Sequence, residues 1–285
     1  MLNVDVRALS RARLGAFIAE RLGRTAGASK LAQSCGFDPL MRLDQLALAI
    51  PSAELGAEAQ PDFGIIATGR FRALEITHCA SRAITARGGE ALNARIGSFD
   101  SVRDGKKSGG QIAARDGLVV VSDGSYFREL LQSAEGDQKT APESAARARQ
   151  HSQLRRALGP GALTISWLLG KGWFTRFAGG DTNARLSPLS ELERLGVRVD
   201  VGETAQLRVL LECADSAGAA RVESLLNELR SSLGMRALAP ALATIAKRIT
   251  VSQTEARLRL EVELDPSELS PVLDALNPQP SAVEP

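Results

Sequence analysis

Two histidines and three cysteines are the chain's small stock of classical reactive groups, and their spacing does not assemble a catalytic site. His78 falls beside Glu75 and Arg82 on the polar face of a predicted helix. A helical zinc site needs a second ligand one turn away, at i, i+4, and none stands there. Cys79 follows His78 directly, but neighbouring helical residues point about 100° apart, so the two cannot act as a thiol–imidazole pair. His151 adjoins a polar stretch of chain. Gly105-Lys106-Lys107-Ser108 has the end of a phosphate loop without the glycine required upstream, and it reads as a turn between two strands. Glu261 and Glu263 alternate with apolar residues beside Arg257 and Arg259, the pattern of a wet strand face and not of an acid–base dyad. No catalytic, cofactor-binding or metal-binding residue is therefore assigned.

The cysteines admit two readings. In the first, all three are buried apolar thiols, the commonest state of a free cysteine. Alternatively Cys35 and Cys79 form a disulfide in an oxidising compartment, which would restrict the unfolded chain by roughly 4 kcal/mol in the loop-entropy view. Aromatic residues make up only 4% of the chain, yet Trp167, Trp173, Phe174 and Phe177 crowd into one stretch. Trp167 alternates within a strand and reads as core. Trp173, Phe174 and Phe177, flanked by glycines, form either a short helical turn plugging the space between the halves or an exposed interaction patch for a partner, a ligand or a membrane surface. Arg147, Arg149, Arg155 and Arg156 form a local basic cluster that reads as a solvated face.

The elements that would position these residues follow from periodicity. A strand is predicted at Asn3–Leu9, then a helix carrying Leu14, Phe17, Ile18 and Leu22. Strands follow at Gln45–Ile50 and Phe63–Gly69, then a helix at Ala73–Ala86. Leu92–Val102, Gly110–Arg115 and Leu118–Ser122 read as strands, and a helix with Phe127, Leu130, Leu131 and Ala134 on one face closes the half. Residues 137–150 lack any large apolar residue and mark a linker between an N-terminal domain, 1–136, and a C-terminal domain, 151–285. The second half predicts a strand at Ala162–Leu169, a short helix at Leu189–Leu195, strands at Val197–Val201 and Gln206–Cys213, and a helix carrying Val222, Leu225, Leu226, Leu229 and Leu233. A helix with Leu238, Leu242 and Ile245, a strand near Thr250–Leu264 and a helix with Leu269, Val272, Leu273 and Leu276 end the chain. The expected class is α+β. Two related strand–strand–helix halves carry mainly antiparallel sheets with helices packed on one face, as in a ferredoxin-like or split β-α-β arrangement.

Composition narrows the function classes. A net charge of +2 supplies no field to recruit nucleic acid, so no nucleic-acid partner is expected. No run reaches the ~20 apolar residues of a membrane span. Met1 leads straight into an alternating segment, which suggests that an export signal has been removed. The chain is then periplasmic or in the cell envelope, and otherwise cytoplasmic.

Cys35-Gly36-Phe37-Asp38-Pro39-Leu40, Gly69-Arg70-Phe71 with Cys79, and the Gly172-Trp173 step resemble a group of exported proteins and lipoproteins of myxobacterial type with no known activity. There an export segment precedes a strand like Val4-Asp5-Val6-Arg7-Ala8-Leu9. The resemblance covers most of the chain, implies no activity or cofactor, and favours the Cys35–Cys79 bridge. The resulting expectation is a non-enzymatic binding or structural protein of the envelope, with another envelope protein as a candidate partner. A carrier of a small apolar ligand or peptide in a cleft between the halves is the alternative, and an enzyme of unrecognised type a third.

Overall fold

In a computed structural model of the chain, the described residues are 1–12, 15, 32–50, 63–106, 110–123, 126–136, 142–170, 172–177, 184–231, 245–265 and 267–268. They form two compact units, Met1–Ser152 and Gln153–Pro285. Each is α+β, with antiparallel strand pairing and helices laid on a sheet.

The first unit has strands β1 (Leu2–Asp5), β2 (Leu43–Ala49), β3 (Gly64–Gly69), β4 (Ala91–Ile96), β5 (Phe99–Asp104), β6 (Gln111–Arg115) and β7 (Leu118–Ser122). Their order across the sheet is β1-β2-β3-β7-β6-β5-β4. Its helices are α1 (Val6–Arg11), α2 (Ala73–Ala86) and α3 (Tyr126–Glu135). Val119 and Val121 of β7 join the cluster that meets α2, whereas Val120 joins Phe127 and Leu131 of α3. Alternating side chains point to opposite faces, so α2 and α3 cover opposite sides of the sheet rather than the single side expected. The reason is legible in β7 itself, whose Leu-Val-Val-Val run is apolar on both faces.

Two predicted strands are shorter or divided. The expected strand Asn3–Leu9 stops at Asp5, because the Asp5 carboxylate accepts a hydrogen bond from the Ala8 N–H at 2.8 Å and caps α1. The expected strand Leu92–Val102 is a hairpin, turned at Gly97 with φ of 56°. The predicted helix carrying Leu14, Phe17, Ile18 and Leu22 lies outside the described residues.

The second unit has strands β8 (Leu163–Leu168), β9 (Leu192–Val201), β10 (Ala205–Cys213), β11 (Thr250–Thr254) and β12 (Arg257–Leu264), in the order β11-β12-β10-β9-β8. Helix α4 (Pro142–Leu158), whose last turns from Gln153 belong to this unit, occupies most of the expected linker at 137–150, since its alanine, arginine and glutamine residues favour helix despite the lack of large apolar side chains there. From Leu154 and Leu158 it packs on Leu210 of β10. Arg198 and Arg208 donate to the Leu158 carbonyl at 3.0 and 3.3 Å, where cations suit a helix C-terminus. Helix α5 (Trp173–Phe177) is one short turn, and α6 (Ser216–Ser231) is capped by Asp215, which accepts from the Gly218 N–H at 2.7 Å. Val222 and Ala219 of α6 pack with Leu211 and Leu258, on the sheet face opposite Leu210.

The predicted helix at Leu189–Leu195 is displaced. A 3-10 turn covers Ala184–Glu191, and β9 begins at Leu192 to pair with β10. The single strand expected near Thr250–Leu264 is a hairpin turned at Glu255, with φ of 52°. Ile245 lies in a helical turn at 245–248, while Leu238, Leu242 and the helix carrying Leu269, Val272, Leu273 and Leu276 lie outside the described residues.

Both units contain the order strand–strand–helix–strand–strand, but their pairings differ. In the second, β12 returns between β10 and β11, a split β-α-β connection. In the first, three strands, β7, β6 and β5, separate β3 from β4.

Candidate functional site

Helix α2 presents Ile76, Cys79, Ala80, Ala83 and Ile84 inward, at the i, i+3, i+4, i+7, i+8 spacing of one helical face. Two of these are alanines. The sheet face opposite supplies Ala67 from β3 beside larger valines and isoleucines. Small side chains on both walls leave room between helix and sheet, and a cleft of about 930 Å³ lies there within the first unit. Phe71, Val102, Ile112, Val119 and Val121 complete most of its apolar lining, and among the described residues only Gln33, Ser34, Arg87 and Asp104 bring polar side chains to it.

Residues 33–43 form one side of this cleft, with Pro39 and Leu43 on its lining, and are fastened to α2 at several points. Cys35 and Cys79 form a disulfide across 44 residues of sequence. Both are buried, at 3% and 5% exposure. The Arg82 guanidinium donates to the Cys35 carbonyl at 2.5 Å. Arg42 donates to both oxygens of Glu75 at 3.1 Å and stacks over the Phe37 ring, 4.4 Å from its centre. Glu75 also accepts from the Arg72 N–H at 2.9 Å, and Asp116 accepts from the Ala73 N–H at 2.8 Å, so the first turn of α2 is held from two directions. The Arg72 N–H, then the Arg42 guanidinium, hold the Glu75 carboxyl below its usual pKa of 4.5.

The aromatic stretch is placed by the second unit. Trp173 packs against the cluster of Leu192, Leu211 and Val222, and its indole N–H donates to the Leu192 carbonyl at 3.0 Å. Its ring lies 6.3 Å from Trp167 and 5.7 Å from Phe174, centre to centre. Phe174 is 8% exposed. As a surface patch the segment would need these two rings free, and they are packed inside their own unit. Phe177 ends the same helix, and its side chain lies outside the described residues. The feature that sequence reasoning missed is the cleft itself. Its signal was the alanine content of α2's inward face.

Several other charged groups are paired among themselves. Glu212, 4% exposed, lies between Arg194 and Arg257, each 2.8 Å from one of its oxygens. Across β10 and β12, Arg208 pairs with Glu261, and Thr204 donates to Glu263 at 2.6 Å. A smaller recess of about 320 Å³ is lined largely by these charges and by the Arg198–Asp200 pair. His78 is exposed on α2, and Arg147, Arg149 and Arg156 are exposed on α4. Cys213 is a buried thiol, pushed up to about 11 chiefly by burial and then by the charges of Glu191 and Asp215, which keeps it protonated and unreactive at neutral pH. Among the described residues no cluster of three or more histidine, cysteine, aspartate or glutamate side chains could hold a metal ion, and no helix is long and apolar enough to cross a membrane.

No protein-family model matches the sequence, and no match was found among curated proteins or solved structures.

Proposed function

We propose that this chain is a non-enzymatic binding protein of the cell envelope whose first unit takes an apolar small molecule between α2 and the sheet. The observation that carries the reading is the cleft of about 930 Å³, walled mainly by alanine, valine, isoleucine and phenylalanine side chains. Its size falls in the range of ~300 to 1,000 Å³ typical of small-molecule sites, and its mix of apolar wall with few polar groups is theirs as well. The Cys35–Cys79 bridge favours a compartment outside the reducing cytoplasm. This relocates the carrier reading from a cleft between the halves, lined by Trp173, Phe174 and Phe177, to a cleft inside the first unit. The paired charges elsewhere give an enzymatic reading no comparable support.

The test is binding of the neutral apolar dye N-phenylnaphthylamine, followed by its fluorescence. The parent chain should bind it with enhanced emission. Ala83→Phe fills the cleft from the α2 wall and should weaken binding at least about tenfold, the scale of a lost apolar contact set, with the far-ultraviolet dichroism unchanged. Undiminished binding by a folded Ala83→Phe chain would sink the proposal.

A further inference from the structure

Resting on that reading, we infer that the ligand is a long-chain amphiphile with a single anionic head, its chain in the cleft and its head at Arg87. Arg87 lines the cleft immediately beyond the last residue of α2. Its Nε donates to the Ala83 carbonyl at 3.2 Å, which fixes the base of the guanidinium, and it takes part in no ion pair among the described residues. Lys106 stands beside it, with Nζ donating to the Gly88 carbonyl at 3.1 Å.

Asp104 and the helix C-terminus, both on or beside the lining, oppose an anion, and both are already answered. Asp104 is the first. Its Oδ1 accepts from the Glu90 N–H at 3.1 Å and from the Lys106 N–H at 2.9 Å, so its charge is drawn toward the turn that it braces. The helix C-terminus is the second. The Ile84 carbonyl accepts from the Arg87 and Gly89 amides at 3.1 and 3.0 Å, and the Thr85 carbonyl from the Gly88 amide at 2.9 Å. With the Ala83, Ile84 and Thr85 carbonyls satisfied and two cations near one braced carboxylate, the polar end of an otherwise apolar cleft is cationic. Gln33 and Ser34 add neutral hydrogen-bonding groups to the lining. An apolar body joined to a carboxylate or a phosphate matches this distribution. Free long-chain carboxylates and phosphate-headed lipids share it.

Displacement of bound N-phenylnaphthylamine by dodecanoate, dodecyl phosphate and dodecanol separates the cases. Expected are about tenfold tighter competition by at least one anionic amphiphile than by dodecanol, as a charge-assisted hydrogen bond provides, and loss of that preference in Arg87→Gln, with the anionic amphiphiles falling to the level of dodecanol. Arg87→Lys should keep part of it. The better of dodecanoate and dodecyl phosphate identifies the head. Equal competition by all three amphiphiles, or a preference that survives in Arg87→Gln, overturns the anionic head while leaving the apolar cleft standing. Failure of the dye and of every amphiphile to bind overturns both this inference and the function on which it rests.

Discussion

Glu75 ties two pieces of the first unit together through one carboxylate. It accepts from the Arg72 amide at the start of α2 and from Arg42, which leads into β2. Its pKa is lowered in the folded chain, so the stabilisation is present above its unfolded value and is lost as pH falls through the lower folded value. A carboxyl-detected NMR titration should therefore place the Glu75 inflection below 4.5, and Arg42→Ala should return it only part of the way, since the Arg72 amide remains. An inflection at or above the ordinary carboxylate value would contradict the geometry. Glu212 shows a different residue-scale effect. The alternation of β10 places it on the same face as Arg208, and only the pairing of β10 with β9 and β12 brings Arg194 and Arg257 to its two oxygens. Its identity as an acid was visible in the sequence, but its burial was not.

At the scale of elements, helix–sheet packing depends on close approach at particular glycines. Gly196 of β9 lies beneath α4, and a Cβ there would stand 2.8 Å from Leu158 Cδ1 and 3.1 Å from Leu154 Cγ. Both leucines are almost wholly buried, which limits where they can go. Gly196→Ala should cost about 1–3 kcal/mol in denaturant unfolding, the usual scale of overpacking. Gly202→Ala, where the nearest atom is 3.9 Å away, is the control and should be close to neutral. A neutral Gly196→Ala would mean that α4 moves freely over β9. Ala73–Ala86 and Leu118–Ser122 were readable to the residue because a strong period ran between clear stops. The helix predicted at Leu189–Leu195 was misread because Ser187-Pro188 fits a helix start as well as it fits the 3-10 turn that forms. Local capping chemistry does not distinguish the two, whereas the ladder from β9 to β10 does.

On the scale of the whole molecule, the chain is two compact units, and the disulfide belongs to the first alone. Cys35→Ala with Cys79→Ala should release roughly 4 kcal/mol of loop restriction from that unit. Hydrogen exchange should then show faster exchange at β3 and β7 while β10 and β12 keep their protection. Thiol titration of the denatured parent should find one thiol before reduction, from Cys213, and three after it. Three thiols before reduction would exclude the bridge. The sequence by itself determined the α+β class, the antiparallel character of the sheets and the wet face of β12, because side-chain period is a local property of the chain. It also offered the Cys35–Cys79 bridge as one of two readings, and held the alanines of α2 in view without saying what they face. Only the tertiary structure decided between the two readings of Cys35 and Cys79, turned Trp173 and Phe174 inward, and brought Ala80 and Ala83 onto one cleft with Ala67. A cleft is a difference between volumes brought together from distant parts of the chain, and periodicity along one element carries no information about the size of its partner.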